Sequence, residues 1–116
     1  MKVTLYGIKG CAMTRQARAW LDDYDIPCAL HDYKAAGLDA GNLDTWLALH
    51  SWDALLNSTA LAFRKLPADF KSDLDEAKAR RLMLTNPSLV KRPVLEAAGE
   101  VTVGFSPEGY AALFGK

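Results

Sequence analysis

Cysteine and histidine are scarce in this sequence of 116 residues, which contains 2 of each. Cys11 and Cys28 do not form a CxxC pair, and two cysteines are too few for the disulfide framework of a small secreted domain. Together with His31 and His50 they form no cluster suited to binding zinc. We therefore expect no metal site, and any function of a cysteine should be redox or nucleophilic chemistry.

The sequence also lacks a net charge and a long apolar run. Its 14 basic and 14 acidic residues cancel, so no overall field favours a nucleic acid or an anionic membrane surface. No apolar run approaches the roughly 18 residues that span a bilayer, and the opening MKVTLYGIKG has no signal-peptide core. We expect a single domain that is a cytoplasmic monomer, with neither a membrane nor a nucleic acid as partner.

The first third of the chain reads as strand, helix and strand. Residues 2–6 alternate in polarity as a short strand does, and residues 28–33 read as a second strand. Between them, Met13, Ala17, Trp20 and Tyr24 recur at helical spacing and predict an apolar face. A crossover of this kind joins two parallel strands.

The rest of the chain predicts helices followed by a hairpin and a final helix. Helices are expected over 38–49 with Asp39 as cap, from Ser51, and after Ser72 or Asp73. Two strands within 92–105 turn at residues 98–100, and Ser106-Pro107 begins the last helix. This order is compatible with an α/β fold whose thioredoxin-like mixed sheet carries a helical insertion at about 38–88 in one domain, 1–116.

Cys11 lies where the first strand gives way to the helix. The free N–H groups and the dipole of a helix N-terminus stabilise an anion, and a thiolate there has a lowered pKa. Lys9 and Arg15 add positive charge nearby, and the Thr14 hydroxyl is one helical turn from the sulfur. These features make Cys11 the candidate nucleophile.

Cys28 begins the second strand and is expected to be a packing residue. In a parallel pair it would lie at the opposite end of the sheet from Cys11, about 17 Å away for strands of ordinary length. A disulfide requires Cα atoms within about 7 Å of each other. We therefore predict no disulfide between the two cysteines.

Several short motifs along the chain occur together in one known family. They are VTLYGIKGC with ARAWL, then HDY, WDALLN, RKL, KRPVL and GFS. This combination resembles the arsenate-reductase-like family that includes ArsC, Spx and YffB, and LYGIKGC with LHDYKAAG is most similar to the YffB-type branch. The resemblance covers essentially the whole chain and implies a thioredoxin-like domain with a helical insertion between the two halves of its sheet.

The resemblance also implies a set of site residues. The family's nucleophilic thiolate corresponds to Cys11, and its Arg-cis-Pro pair corresponds to Arg92 and Pro93. This placement would bring Arg92 beside the cysteine, where its guanidinium could pair with a thiolate, a carboxylate or an oxyanion.

Departures from the family pattern separate the functions that the family contains. Arsenate reductases of this type have a histidine four residues before the cysteine and two further arginines, where this chain has Gly7, Asn57 and Phe105. Loss of two charge-assisted contacts should cost roughly several kcal/mol, which disfavours arsenate reduction. Thr14 at the second CxxC position excludes the disulfide switch of many Spx regulators, and leaves non-catalytic partner binding as an alternative.

The YffB-type resemblance implies a glutathione-dependent thiol reductase. A single nucleophilic cysteine without a resolving cysteine nearby needs an external thiol. Glutathione is the expected co-substrate, with its carboxylates suited to Arg92, Lys9 or Arg15, and we expect no bound cofactor. The other expected partners are a protein or small-molecule disulfide, or an oxyanion, and glutaredoxin.

Overall fold

A mixed four-stranded sheet organises the two ends of the chain within the described residues. The structure, a computed structural model, describes residues 2–116; Met1, with which the predicted domain 1–116 begins, lies outside the described residues. The strands are β1 (Val3–Gly7), β2 (Ala29–Asp32), β3 (Val94–Ala97) and β4 (Glu100–Val103), in the order β2-β1-β3-β4. The predicted α/β thioredoxin-like mixed sheet is confirmed.

The first strand, helix and second strand form the predicted parallel unit. Helix α1 (Ala12–Asp23) connects β1 to β2, and the two strands pair in parallel from Thr4–Ala29 to Gly7–Asp32. Because the register is parallel, the end of β1 and the start of β2 lie at opposite ends of the pair. The parallel register therefore keeps Cys11 away from Cys28, and both cysteines are free thiols.

The C-terminal part of the chain completes the sheet. Strand β3 pairs antiparallel with both β1 and β4, and the hairpin turns at Ala98-Gly99, where both residues have positive φ. Helix α8 (Pro107–Phe114) begins as predicted, because the Ser106 hydroxyl accepts a hydrogen bond of 3.0 Å from the N–H of Gly109.

One face of the sheet packs against α1 and α8. The shared core consists of buried side chains from the strands and both helices: Val3, Leu5, Ala17, Leu21, Leu95, Ala97 and Tyr110. The predicted apolar face of α1 was wrong in part, since Met13 and Tyr24 are 44% and 45% exposed. The buried line of the helix is instead Thr14, Ala17 and Leu21, because a buried threonine takes the place that the apolar pattern assigned to Met13.

The segment 33–91 forms a compact helical unit by itself. It contains α2 (Tyr33–Ala36), α3 (Ala40–Leu49), α4 (Trp52–Leu55), α5 (Leu61–Arg64), α6 (Ala68–Lys71), α7 (Glu76–Thr85) and a 3-10 turn (Pro87–Leu89). Its buried side chains include Trp46, Leu55 and Met83, and an isolated bridge pairs Leu56 with Val90. The predicted insertion of about 38–88 within a single domain stays a prediction.

Capping residues explain where two helices of this unit begin. The Asp39 carboxylate accepts the N–H of Gly41 at 2.6 Å, as the sequence predicts for α3. The start of α7 differs from the prediction, because Asp75, rather than Ser72 or Asp73, accepts the N–H of Lys78 at 2.8 Å. Asp73 has a φ of 51°, in the left-handed region, and lies outside the helix.

The corrected face of α1 predicts which side chains stabilise the sheet unit. Leu21→Ala should lower the free energy of unfolding by about 2–5 kcal/mol, because it leaves a cavity among fully buried side chains. Met13→Ala, on the same helix but exposed, should change it by no more than about 0.5 kcal/mol. Urea unfolding of both variants checks this, and equal losses would contradict the assignment of the buried face.

Candidate functional site

Cys11 is the N-cap residue of α1, at the exit of the turn that follows β1. Its backbone is extended (φ −77°, ψ 125°), while its carbonyl already accepts the N–H of Arg15 at 3.0 Å. The turn is closed by a hydrogen bond of 2.9 Å from the Cys11 N–H to the Ile8 carbonyl. The sulfur therefore lies where the first N–H groups of a twelve-residue helix are free to donate.

The surroundings of the sulfur favour its ionised form. Burial raises the pKa of the Cys11 thiol, but the Thr14 N–H, the Arg92 side chain, the Thr14 hydroxyl and the Met13 N–H together stabilise the thiolate by more than burial opposes it. The pKa falls from its ordinary value of 9.0 to about 7. The thiolate form of Cys11 is therefore favoured at neutral pH relative to that of an ordinary cysteine.

Thr14 is a buried polar residue next to the sulfur. Its side chain is 1% exposed, and its hydroxyl has no partner within hydrogen-bond limits among the described residues. Although it makes no full hydrogen bond to the neutral thiol, the hydroxyl is close enough to lower the pKa of Cys11. Deprotonation of the thiol supplies the acceptor that this buried donor lacks.

Gly7 leaves the space that Thr14 occupies. A Cβ at position 7 would lie 2.8 Å from Thr14 Cγ2 and would also overlap Thr14 Oγ1. A histidine at this position, as in the arsenate reductases that the chain resembles, is therefore incompatible with the present position of Thr14. Sequence reasoning noted both residues separately and missed that they pack against each other.

The register of β3 brings Arg92 and Pro93 to the cysteine. Val94, the first residue of β3, pairs with Tyr6 near the end of β1, so the residues before Val94 lie beside the turn that carries Cys11. The Arg92 side chain hydrogen-bonds the sulfur, and the Arg92-Pro93 bond is cis. Pro93 is buried, and its carbonyl accepts the N–H of Gly104 at 2.8 Å.

Lys9 and Arg15 have exposed side chains and play no part in lowering the pKa of Cys11. The sequence predicts that Lys9 and Arg15 stabilise the Cys11 thiolate. In the structure, backbone N–H groups and the Arg92 side chain stabilise it instead. The Lys9 backbone is held in place, because its N–H donates a hydrogen bond of 3.1 Å to Asp32 Oδ2. Sequence reasoning quoted Asp32 only as part of the HDY motif and assigned it no role.

Phe105 and Asn57, which differ from the residues of the arsenate reductases that this chain resembles, make packing and hydrogen-bond contacts instead. The Phe105 ring packs edge-on against Tyr110, with the ring centroids 4.8 Å apart. Asn57 belongs to the helical segment, where its N–H donates to the Leu89 carbonyl and its side chain accepts from Thr59. Neither position contributes a cation.

Cys28 has the opposite electrostatic character from Cys11. Burial raises the pKa of its thiol, Asp22 raises it further, and the positive charge of Arg18 only partly offsets both. A thiol of raised pKa is a poor nucleophile at neutral pH. Its partly buried side chain packs against the core of the sheet, as predicted for a packing residue.

Residues 2–116 contain neither a cluster of metal ligands nor a membrane-spanning helix. No group of three or more His, Cys, Asp or Glu side chains in this range is arranged to hold a metal ion. No helix in the same part of the chain is long and apolar enough to cross a membrane.

Comparison with known proteins agrees with the resemblance inferred from the motifs. The ArsC family model matches residues 6–113. The solved YffB (PA3664) protein is 50% identical, with a TM-score of 0.93 over 96% of this chain and 97% of its own. An arsenate reductase (ArsC) related protein from Brucella melitensis is 53% identical, with a TM-score of 0.77 over 98% and 95%. The global transcriptional regulator Spx of Streptococcus pneumoniae is 27% identical over 96% of this chain and 84% of its own. The chain belongs to the ArsC family.

Proposed function

We propose that this protein is a thiol reductase that uses Cys11 as a single nucleophile and glutathione as co-substrate. The observation that carries the proposal is the Cys11 sulfur at the N-terminus of α1, hydrogen-bonded by Arg92 and with a pKa of about 7. This environment activates one thiol and leaves the other cysteine of the chain with a raised pKa.

The proposed reaction consists of two thiol–disulfide exchanges. The Cys11 thiolate attacks one sulfur of a protein or small-molecule disulfide, forms a mixed disulfide and releases the other sulfur as a thiolate that takes a proton from water. Glutathione thiolate then attacks the mixed disulfide and leaves as a disulfide with the bound group, which regenerates the Cys11 thiolate. Where the bound group is itself a glutathionyl group from the substrate, the sum consumes one glutathione, reduces the substrate mixed disulfide to a free thiol and releases oxidised glutathione.

The need for an external thiol follows from the surroundings of Cys11. Thr14 stands where a CxxC protein has its second cysteine, and Cys28 precedes the start of β2, at the far end of the parallel pair. Glutathione fits because it carries two carboxylates. Arg92 can bind one of them at the sulfur, and Lys9 and Arg15, which are exposed and close to Cys11 in the sequence, can bind the other. Glutaredoxin is a further candidate for the thiol that releases Cys11.

Arsenate reduction is the second candidate, because Arg92 and the free N–H groups of α1 form an anion site at the thiolate. Two features weaken it. Thr14 fills the space of the missing histidine at Gly7, and Phe105 packs on Tyr110 in place of an arginine. Partner binding without catalysis is the third candidate and is motivated by the similarity to Spx.

The lowered pKa of Cys11 predicts how the reactivity of its thiol depends on pH. Alkylation by iodoacetamide, followed by mass spectrometry, should rise with pH around a midpoint of about 7. About half of Cys11 should be thiolate at pH 7, against roughly 3% for a free thiol of pKa 8.5. Below the midpoint the rate should fall close to tenfold per pH unit, because only the thiolate reacts.

Two arginine variants test the cause of this lowered pKa. Arg92→Leu should raise the midpoint by about 1 unit, because the thiolate loses a charge-assisted hydrogen bond. Arg15→Leu, the matched control, removes an exposed positive charge from α1 and should leave the midpoint unchanged. A wild-type midpoint at or above about 8.5 would falsify the nucleophile assignment.

Incubation with oxidised glutathione tests the proposed function directly. We expect one glutathione adduct on the wild type and on Cys28→Ser, and none on Cys11→Ser, because only Cys11 has the lowered pKa. Reduced glutathione should then remove the adduct and sustain turnover of a disulfide substrate.

Three outcomes of the glutathione experiment would oppose this proposal. An adduct on Cys28 would overturn the site. Turnover of arsenate, with glutathione and glutaredoxin but no turnover of disulfides, would favour the second candidate. Retention of a partner and its function by Cys11→Ser, without turnover in the wild type, would favour the third.

The packing of Gly7 against Thr14 yields a stability prediction. Gly7→Ala should destabilise the fold by about 1–3 kcal/mol, because the new Cβ overlaps the Thr14 side chain. In a Thr14→Ala background the same change should cost less, since most of the overlapping atoms are gone. Urea unfolding of the four proteins measures this coupling, and additive losses would show that the two positions are independent.

A further inference from the structure

The turn that carries Cys11 begins where two paired strands stop. The parallel pairing of β1 and β2 ends at Gly7 and Asp32, which are direct partners in the register. Beyond Gly7 the chain leaves the sheet and reaches Cys11 through Ile8, Lys9 and Gly10. No ladder hydrogen bond of the β1–β2 pair therefore restrains this turn within the described residues.

The Asp32 side chain restrains the backbone beyond the last paired residues of β1 and β2. Its Oδ2 accepts the N–H of Lys9 at 3.1 Å, two residues past the end of β1. A side-chain carboxylate thus does for Lys9 what a backbone carbonyl of β2 does for the residues inside the strand. A hydrogen bond to an ionised acceptor is stronger than one between neutral groups.

Side-chain packing at Gly10 does not fix the shape of the turn before the cysteine. Gly10 directly precedes Cys11, is exposed, and has open space where a side chain would begin. Because glycine is the least restricted residue, packing at this position does not hold the backbone. Two hydrogen bonds hold the turn instead, one from Lys9 N–H to Asp32 and one from Cys11 N–H to the Ile8 carbonyl at 2.9 Å.

We propose that Asp32 is a positioning residue for the nucleophile: its carboxylate holds the Lys9 backbone, and through it the turn that sets the Cys11 sulfur against its donors. The proposal rests on the proposed function only in taking Cys11 as the nucleophile. Asp32 acts through Lys9, and its role concerns geometry rather than the reacting atoms.

Matched variants of Asp32 test the proposal. Asp32→Ala should raise the midpoint of Cys11 alkylation by about 1 unit, and so slow alkylation close to tenfold at pH 6, because the sulfur is less well held against Thr14 and Arg92. Asp32→Asn keeps an oxygen acceptor for the Lys9 N–H and should restore most of the wild-type midpoint. Asp23→Ala removes an exposed carboxylate elsewhere in the same unit and serves as the control.

Loss of stability alone would not reproduce this pattern. A merely structural role would lower the unfolding midpoint of the alanine variant without moving its alkylation profile, and that result would overturn the proposal. An asparagine variant as impaired as alanine would also overturn it, because the hydrogen bond would then not be the cause.

Amide hydrogen exchange in the wild type keeps the proposal testable where the alanine variant does not fold. The Lys9 N–H should exchange at least about tenfold more slowly than the Gly10 N–H, which has no recorded partner within residues 2–116. Equal rates would reject the role of Asp32. Because exchange and alkylation need no glutathione, failure of glutathione turnover would refute the proposed function without affecting this test.

Discussion

The antiparallel pairing of β3 with β1 is the constraint on which the site depends. Cys11 and Arg92 lie near opposite ends of the sequence, and only the pairing of Val94 with Tyr6 sets the arginine beside the turn after β1. The helix N-terminus alone offers the sulfur neutral N–H donors, whereas the guanidinium adds a full charge. The same strand carries Leu95 and Ala97 into the core under α1 and α8, so the packing that fixes the register also fixes the site.

The elements with strong local signals could be predicted from the sequence. Strand β1, helix α1 and the Ser106-Pro107 start of α8 follow from alternation, helical spacing and capping, which depend on residues close in the chain. The face of α1 was harder, because an apolar pattern counts Met13 as core and Thr14 as surface. The structure reverses the two, since the Thr14 hydroxyl faces a sulfur that can accept its hydrogen bond.

The relations between distant residues could not be derived from composition or spacing. Arg92 was linked to Cys11 only through the family resemblance, because periodicity does not determine which strands pair. The contact of Asp32 with the Lys9 backbone depends on the exact register of β1 and β2, and a shift of one residue would turn the carboxylate to the other face. The fit of Thr14 against Gly7 requires both backbone positions at once.

Thr14 links the acidity of Cys11 to its dependence on an external thiol. The residue three places after the nucleophile has its side chain directed back at the sulfur, so a cysteine there could form a disulfide with it. A threonine at this position donates to the thiolate instead and cannot close such a bond. Thr14 thus contributes to the lowered pKa of Cys11 and leaves no internal thiol at this position to release a mixed disulfide. In the proposed reaction the bound group is therefore released only by glutathione or another external thiol. Arg92, beside the sulfur, can select that thiol by binding its carboxylates.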